Sequence, residues 1–192
     1  MKDLEYIRGM HSGEQPPQEA PRLRYQPDQV AIQDIINWYR NNQLNLEPGF
    51  QRESVWQRRD RTKLIDSILR NYPLPSIFLY RRPTETGELA YDVIDGKQRI
   101  ETILMYTGVM RGNRFAIRYK FSEEEPPQWL DYRDLCRRRL QHLLTGYKLQ
   151  AMEVEGGLDE IVSLFVLINS TGKALTGAER RHAKYYRSSF LK

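Results

Sequence analysis

A single cysteine, Cys136, among 192 residues excludes an internal disulfide and a zinc site built from several thiolates. With no histidine close to it in sequence, a buried, inert thiol is expected rather than a nucleophile. Histidine is almost as scarce. His11, His142 and His182 stand far apart without metal-ligand spacing, so packing or surface roles are expected for them, and a His-Asn-His nuclease centre has no material here. No apolar run approaches the ~18 residues a membrane span requires. The opening Met1-Lys2-Asp3 is not followed by the apolar segment of a signal peptide, so a cytoplasmic protein is expected. Internal repeats and low-complexity tracts are also missing, as is the G-x-x-x-x-G-K-[ST] spacing of a P-loop.

What is present is ordinary for a globular domain: 40% hydrophobic and 29% charged residues, with a formal charge of +5. The length suits one domain with a sizeable core. Most of the positive charge is arginine, whose planar fork suits phosphate. It is clustered: Arg52, Arg58, Arg59, Arg61 and Lys63 form one group, and Arg137, Arg138 and Arg139 another. Each cluster reads either as a solvated helix face or as a DNA contact. The first group, with Arg58, Arg59, Arg61 and Lys63, is the candidate DNA-binding face.

Residues 1–22 contain Gly9, Gly13, Pro16, Pro17 and Pro21 and read as a flexible lead, with the domain over 23–192. From Val30 the period turns helical, with Ile32, Ile35, Ile36 and Tyr39 on one face and Asn41-Asn42 as the stop. Leu44 to Leu46 reads as a short extended piece. A helix is predicted over Arg58–Arg70, buried through Leu64, Ile65, Ile68 and Leu69. Pro73 and Pro75 forbid helix and lead into a strand at Ile77–Tyr80. Leu89–Ile94 is its expected hairpin partner, followed by a helix over Ile100–Tyr106 that Gly108 ends. Further on, strands are expected at Arg114–Tyr119 and Lys148–Val154, and an acidic loop at Glu123–Pro127. Helices are expected at Tyr132–Leu144 and from Asp159 as N-cap, and a last one opens at the capping box Thr176-Gly177-Ala178-Glu179. The order implies an α/β or α+β fold with a small mixed sheet.

Three segments carry chemistry. Asp95-Gly96-Lys97-Gln98-Arg99 lies between a strand and a helix, where backbone N–H groups and the helix dipole favour an anion. Gly96 permits close approach. Lys97 and Arg99 offer charge to phosphate, Asp95 a ligand for magnesium or a base, and Gln98 an amide to orient water. A plain strand-to-helix turn is the competing reading. Phe50-Gln51-Arg52-Glu53-Ser54-Val55-Trp56 sets phosphate donors between stacking surfaces, although Phe50 and Trp56 would serve equally as core anchors. Asn169-Ser170-Thr171-Gly172-Lys173 brings a magnesium-ligating amide, Asn169, and a cation, Lys173, to one chain reversal; helix C-capping explains the same residues.

Taken in order, Phe50-Gln51-Arg52-x-x-Val55-Trp56, Leu64-Ile65-Asp66-Ser67-Ile68-Leu69, Pro73-Leu74-Pro75-Ser76-Ile77, Ile94-Asp95-Gly96-Lys97-Gln98-Arg99 and Ile168-Asn169-Ser170-x-Gly172 to Leu175-Thr176-x-x-Glu179 resemble the GmrSD-type restriction endonuclease amino-terminal domain family, over about Ile32 to Tyr186. That family resembles the ParB and sulfiredoxin superfamily. The resemblance implies a small mixed sheet with a hairpin, surrounded by helices, that binds a nucleoside triphosphate with magnesium and serves anti-phage restriction of modified DNA. It assigns Asp95 and Gln98 to hydrolysis. Gln51, Arg52, Gly96, Lys97, Arg99, Asn169 and Lys173 are assigned to the nucleotide, and Asp95 and Asn169 to the metal. The family's loop usually reads Asp-Gly-Gln-Gln-Arg; Lys97 replaces its third residue, which adds charge for phosphate and removes an amide. Relatives that cut DNA carry a nuclease domain, so a nuclease domain or subunit is an expected partner, and homo-oligomerisation stays open. The expected activity is a magnesium-dependent nucleoside triphosphatase, with a nucleotide-gated DNA-binding module of little or no turnover as the alternative.

Overall fold

The computed structural model describes residues 23–47, 56–84, 87–112 and 114–170. Gln51, Arg52 and Lys173, the lead segment and the expected last helix lie outside the described residues. Seven strands and six helices follow one another as β1 (Arg24–Ala31), α1 (Ile32–Arg40), β2 (Leu44–Asn45), α2 (Arg58–Leu69), β3 (Ile77–Pro83), β4 (Leu89–Asp95), α3 (Lys97–Thr107), β5 (Ile117–Tyr119), β6 (Gln128–Leu130), α4 (Tyr132–Arg137), α5 (His142–Thr145), β7 (Lys148–Glu155) and α6 (Leu158–Ser170) among the described residues. Five strands form a mixed sheet in the order β1-β7-β3-β4-β2, and β5 and β6 form a separate two-stranded sheet. The fold is thus α+β around a small mixed sheet, with the β3–β4 hairpin at its middle.

The main sheet is covered on both faces because its strands alternate. Ile77, Leu79, Tyr91, Val93, Leu149 and Ala151 turn to the larger core, which α1, α2 and α3 close with Ile32, Ile35, Ile65, Ile68, Ile100 and Ile103. Ile94 and Val154 turn the other way, towards Ile161 and Phe165 of α6. β3 pairs antiparallel with β4 and parallel with β7, and the register shifts between Phe78 and Leu79. β4 therefore sits between two helical layers, and its C-terminal end opens at the junction where α2, α3 and α6 converge.

Helix ends follow local chemistry. In α1, α2 and α4 the two residues after the last turn bond back to carbonyls three and five residues earlier, for instance Asn71 N–H to Ile68 O at 2.9 Å and Tyr72 N–H to Ser67 O at 2.9 Å. Asn42, Asn71 and Arg139 take the left-handed conformation these motifs need. At Arg139 this divides the expected Tyr132–Leu144 helix into α4 and α5, and Leu140 is drawn against the core. Arginine is an unusual residue for that turn, so the sequence carries little sign of the break.

Other expectations are corrected. Two strands were not anticipated, β1 and β6. β1 is an edge strand with six successive exposed residues, so it has no alternation to detect, and its Pro27 is tolerated at the edge. β6 is only three residues long. α3 begins at Lys97 rather than Ile100, since its first turn is polar. α6 starts at Leu158, so Asp159 lies inside it; Gly157 precedes the helix and donates its N–H to Glu160 Oε2 at 3.1 Å. Cys136 is exposed rather than buried, on the outer face of α4.

Candidate functional site

Asp95 ends β4, and Gly96 turns the chain into α3 with φ of 96°. Two constraints meet at this glycine. Its backbone is in the left-handed region, and a Cβ there would collide with Ile77 Cγ2. The glycine is therefore required for the turn to seat on β3. Lacking a side chain, Gly96 makes no side-chain cap, and its carbonyl accepts from Arg99 and Ile100 N–H at 3.0 Å each. The first N–H groups of α3 have no intrahelical acceptor, and they carry the positive end of the helix dipole.

A cavity of about 540 Å³ opens over this turn, within the usual range of small-molecule sites. Asp95, Gly96, Lys97, Gln98 and Arg99 all line it, so the structure gathers the whole predicted loop into one wall. α2 contributes Asp60, Lys63, Leu64 and Ser67, while Trp56, Leu74, Pro75, Ile94 and Phe165 add apolar surface. Trp56 is thus half-buried, packed against the core and also a wall of the cavity. Sequence reasoning missed Asp60 and Ser67 as site residues and placed Lys63 only on a DNA face. Their spacing of three and four positions along α2 puts all three on one helix face, which was the available signal.

The charged groups of the loop differ in what they touch. Arg99 is 11% exposed and its guanidinium makes three hydrogen bonds: it donates to Asp95 Oδ2 at 2.7 Å, to Ser76 O at 3.3 Å and to Pro75 O. Burial lowers its pKa from the ordinary arginine value, while the Asp95 carboxylate opposes that shift. Arg99 thereby ties the β4–α3 turn to the entry of β3. Lys97, also 11% exposed, lies 3.7 Å from Glu47 Oε1 and 3.8 Å from Glu101 Oε1. Glu101 itself is buried, and neither its Oε2 nor Gln98 Oε1 has a hydrogen-bond partner among the described residues. The positive charge of Lys97 is therefore balanced by two carboxylates.

Asn169 lies in the last turn of α6, one turn beyond Phe165 of the cavity wall. The arginine groups are divided. Arg58 and Arg59 are exposed on α2, whereas Arg61 is half-buried and directed at Met105 Sδ, 3.2 Å away. In the second group, Arg137 pairs with Asp134, and Arg138 lies over the Phe121 ring at 5.0 Å and donates to Gln128 Oε1 at 2.7 Å.

For magnesium, the chemistry of the donor set is the test. That ion is commonly held by one or two carboxylates together with substrate phosphates. Asp60 and Asp95 both border the cavity and supply that number. No group of three or more His, Cys, Asp or Glu side chains that could hold a metal by itself occurs among the described residues. Two carboxylates are the number expected for a metal carried in with phosphate, and each already accepts one hydrogen bond, Asp95 from Arg99 at 2.7 Å and Asp60 from the Gln57 N–H at 3.1 Å.

No helix among the described residues is long and apolar enough to cross a membrane. No curated protein and no solved structure matches the chain. The family model described as GmrSD restriction endonuclease, N-terminal domain, matches residues 32–186, from the first turn of α1 through all the elements that build the cavity. The chain belongs to the GmrSD restriction endonuclease N-terminal domain family.

Proposed function

We propose that the domain binds a nucleoside triphosphate with magnesium at the β4–α3 turn, hydrolyses it, and so regulates a nuclease domain or subunit that acts on modified DNA in anti-phage restriction. The cavity itself carries this reading: a helix start without a side-chain cap, two lysines and two carboxylates share one wall system with apolar surface. The N–H groups of α3 and Lys63 hold phosphate, with Lys97 adding charge behind them. Asp95, Asp60 and Asn169 of α6 would hold the metal, which when bound would supply charge neutralisation on the phosphate oxygens, and Gln98 would orient water. Arg99 acts in this scheme by holding Asp95 and the turn in place. Gln51, Arg52 and Lys173 complete the nucleotide contacts from outside the described residues. A cytoplasmic site of action accords with a DNA target.

A second reading has its own observation. The two strongest cations of the loop are neutralised, Arg99 by Asp95 and Lys97 by Glu47 and Glu101, which leaves less charge for a transition state than for a resting ligand. A nucleotide-gated DNA-binding module with little turnover follows from it.

Calorimetry with ATP, GTP, CTP and UTP plus magnesium, with phosphate release measured on the same samples, separates the two. Binding with release, with release abolished in Asp95→Asn and binding weakened in Lys63→Ala, is the expected result. Binding without release selects the gated module. Absence of binding with all four nucleotides refutes both.

A further inference from the structure

A second groove, of about 560 Å³, runs along the outer side of α2 and is closed by the β5–β6 hairpin. Lys63 borders both this groove and the cavity over α3. The hairpin is short, but its alternation is strict. Ile117, Tyr119 and Leu130 are buried, which leaves Arg118 and Trp129 on the outer face. These two are directly paired across the strands, so their side chains stand side by side. Trp129 is 64% exposed, although its neighbour Leu130 is fully buried. The indole is therefore presented on a rigid support.

Charge on the groove is one-sided. Arg58, Arg59, Lys63 and Arg118 line it and make no ion pair with another described residue. Its one acid, Asp66, is held by Arg70 at 3.0 Å. Arg70 in turn lies over the Tyr119 ring, 5.2 Å from its centroid, which fixes the hairpin to α2. Four cations and a flat, exposed indole complement a polyanion that carries flat rings.

We propose that this groove binds single-stranded DNA, with phosphates along Arg58, Arg59, Lys63 and Arg118 and a base stacked on Trp129. A duplex covers the faces of its bases, so an indole can stack only on a base that is unpaired or turned out. The inference rests on the DNA-directed part of the proposed function. The two sites share one residue, Lys63, which lines both walls, whereas Arg58, Arg59, Arg118 and Trp129 belong to the groove alone.

The test is an anisotropy titration of the full chain with a labelled oligothymidine and with a duplex of the same length, across a salt series. Calorimetry with nucleotide and magnesium on the same variants reports the other site. Single strands are expected to bind more tightly than duplex. The logarithm of affinity should fall with that of salt by about 0.7 for each phosphate neutralised on a single strand. Trp129→Ala should weaken binding roughly tenfold or more, Trp129→Phe should retain most of it, and nucleotide binding should be unchanged in both. The paired variant Arg58→Ala/Arg59→Ala should flatten the salt slope. Wild type that prefers duplex, or that binds single strands no better than Trp129→Ala does, overturns the groove. Absence of all DNA binding overturns it together with the DNA-directed reading. Loss of nucleotide binding alone refutes the cleft and leaves the groove standing.

Discussion

Arg99→Ala is predicted to act first on stability and only through it on ligand binding. The substitution removes three hydrogen bonds from a guanidinium that is 11% exposed, one to Asp95 and two to the carbonyls of Pro75 and Ser76. A bond from a charged donor contributes about 1.5–3 kcal/mol when it is shielded from water. Pro75 and Ser76 are exposed and Asp95 is 36% exposed, so all three acceptors regain water when the guanidinium goes. A net loss of about 2 kcal/mol results. With a urea dependence of about 2 kcal/mol per molar, the unfolding midpoint should fall by roughly 1 M. Arg99→Lys keeps the charge without the fork and should lose roughly half as much. A double-mutant cycle of Arg99→Ala with Asp95→Asn should show coupling above about 1 kcal/mol. An Arg99→Ala protein with an unchanged midpoint and no nucleotide binding would refute this reasoning, because it would put the guanidinium on the ligand.

Three other outcomes follow from the geometry. Gly96→Ala combines a left-handed backbone with a collision at Ile77, so a loss of about 2–4 kcal/mol and a melting temperature roughly 10 °C lower are expected by calorimetry. Lys97→Met leaves the buried Glu101 without its neighbouring cation and should destabilise by about 2 kcal/mol, whereas Lys97→Met/Glu101→Leu should recover much of that; equal melting curves for the two variants would contradict the pairing. In α4, the backbone N–H of Asp131 holds the Asp134 carboxyl below the ordinary carboxylate range, with Arg137 adding to it. A lowered folded value means that this contribution is present above the unfolded carboxylate pKa and is lost as pH falls through the folded one. Protection of the Leu135 amide, its exchange rate taken relative to that of an unstructured amide at the same pH, should therefore fall in acid, below about pH 4, and Asp134→Asn should remove that pH dependence.

Much of the frame was legible because its signals are periodic. The buried stripe of α2, the hairpin of β3 with β4 and the stop at Asn41-Asn42 rest on spacing and turn chemistry, and each is found in the structure. β1 was illegible for the converse reason: its partner β7 supplies the burial, and its own exposed side chains show none. Within the site, sequence reasoning found the Asp95–Arg99 loop and could not see what each side chain would touch. Arg99 and Lys97 look alike as cations on paper. Folding gives one of them two carbonyls and the Asp95 carboxylate, and the other the carboxylates of Glu47 and Glu101. Asp95 and Glu101 are four residues away along the chain, but Pro75, Ser76 and Glu47 are remote in sequence, and no local pattern connects them. Trp129 was hidden in the same way, since only the register with Arg118 makes it part of a surface.

The parallel pairing of β3 with β7 has a consequence for the order of assembly. β3, β4 and α3 are consecutive and joined by short connections, so the turn at Gly96 can form early, from local contacts. Its other wall cannot: residues 77–80 pair with 151–154, and Phe165 follows later still on α6. Closing so long a loop is entropically slow. During synthesis the Asp95–Arg99 loop would thus exist on the ribosome as one wall, open on the α6 side. It would become a cavity only once the chain beyond β7 had emerged and packed.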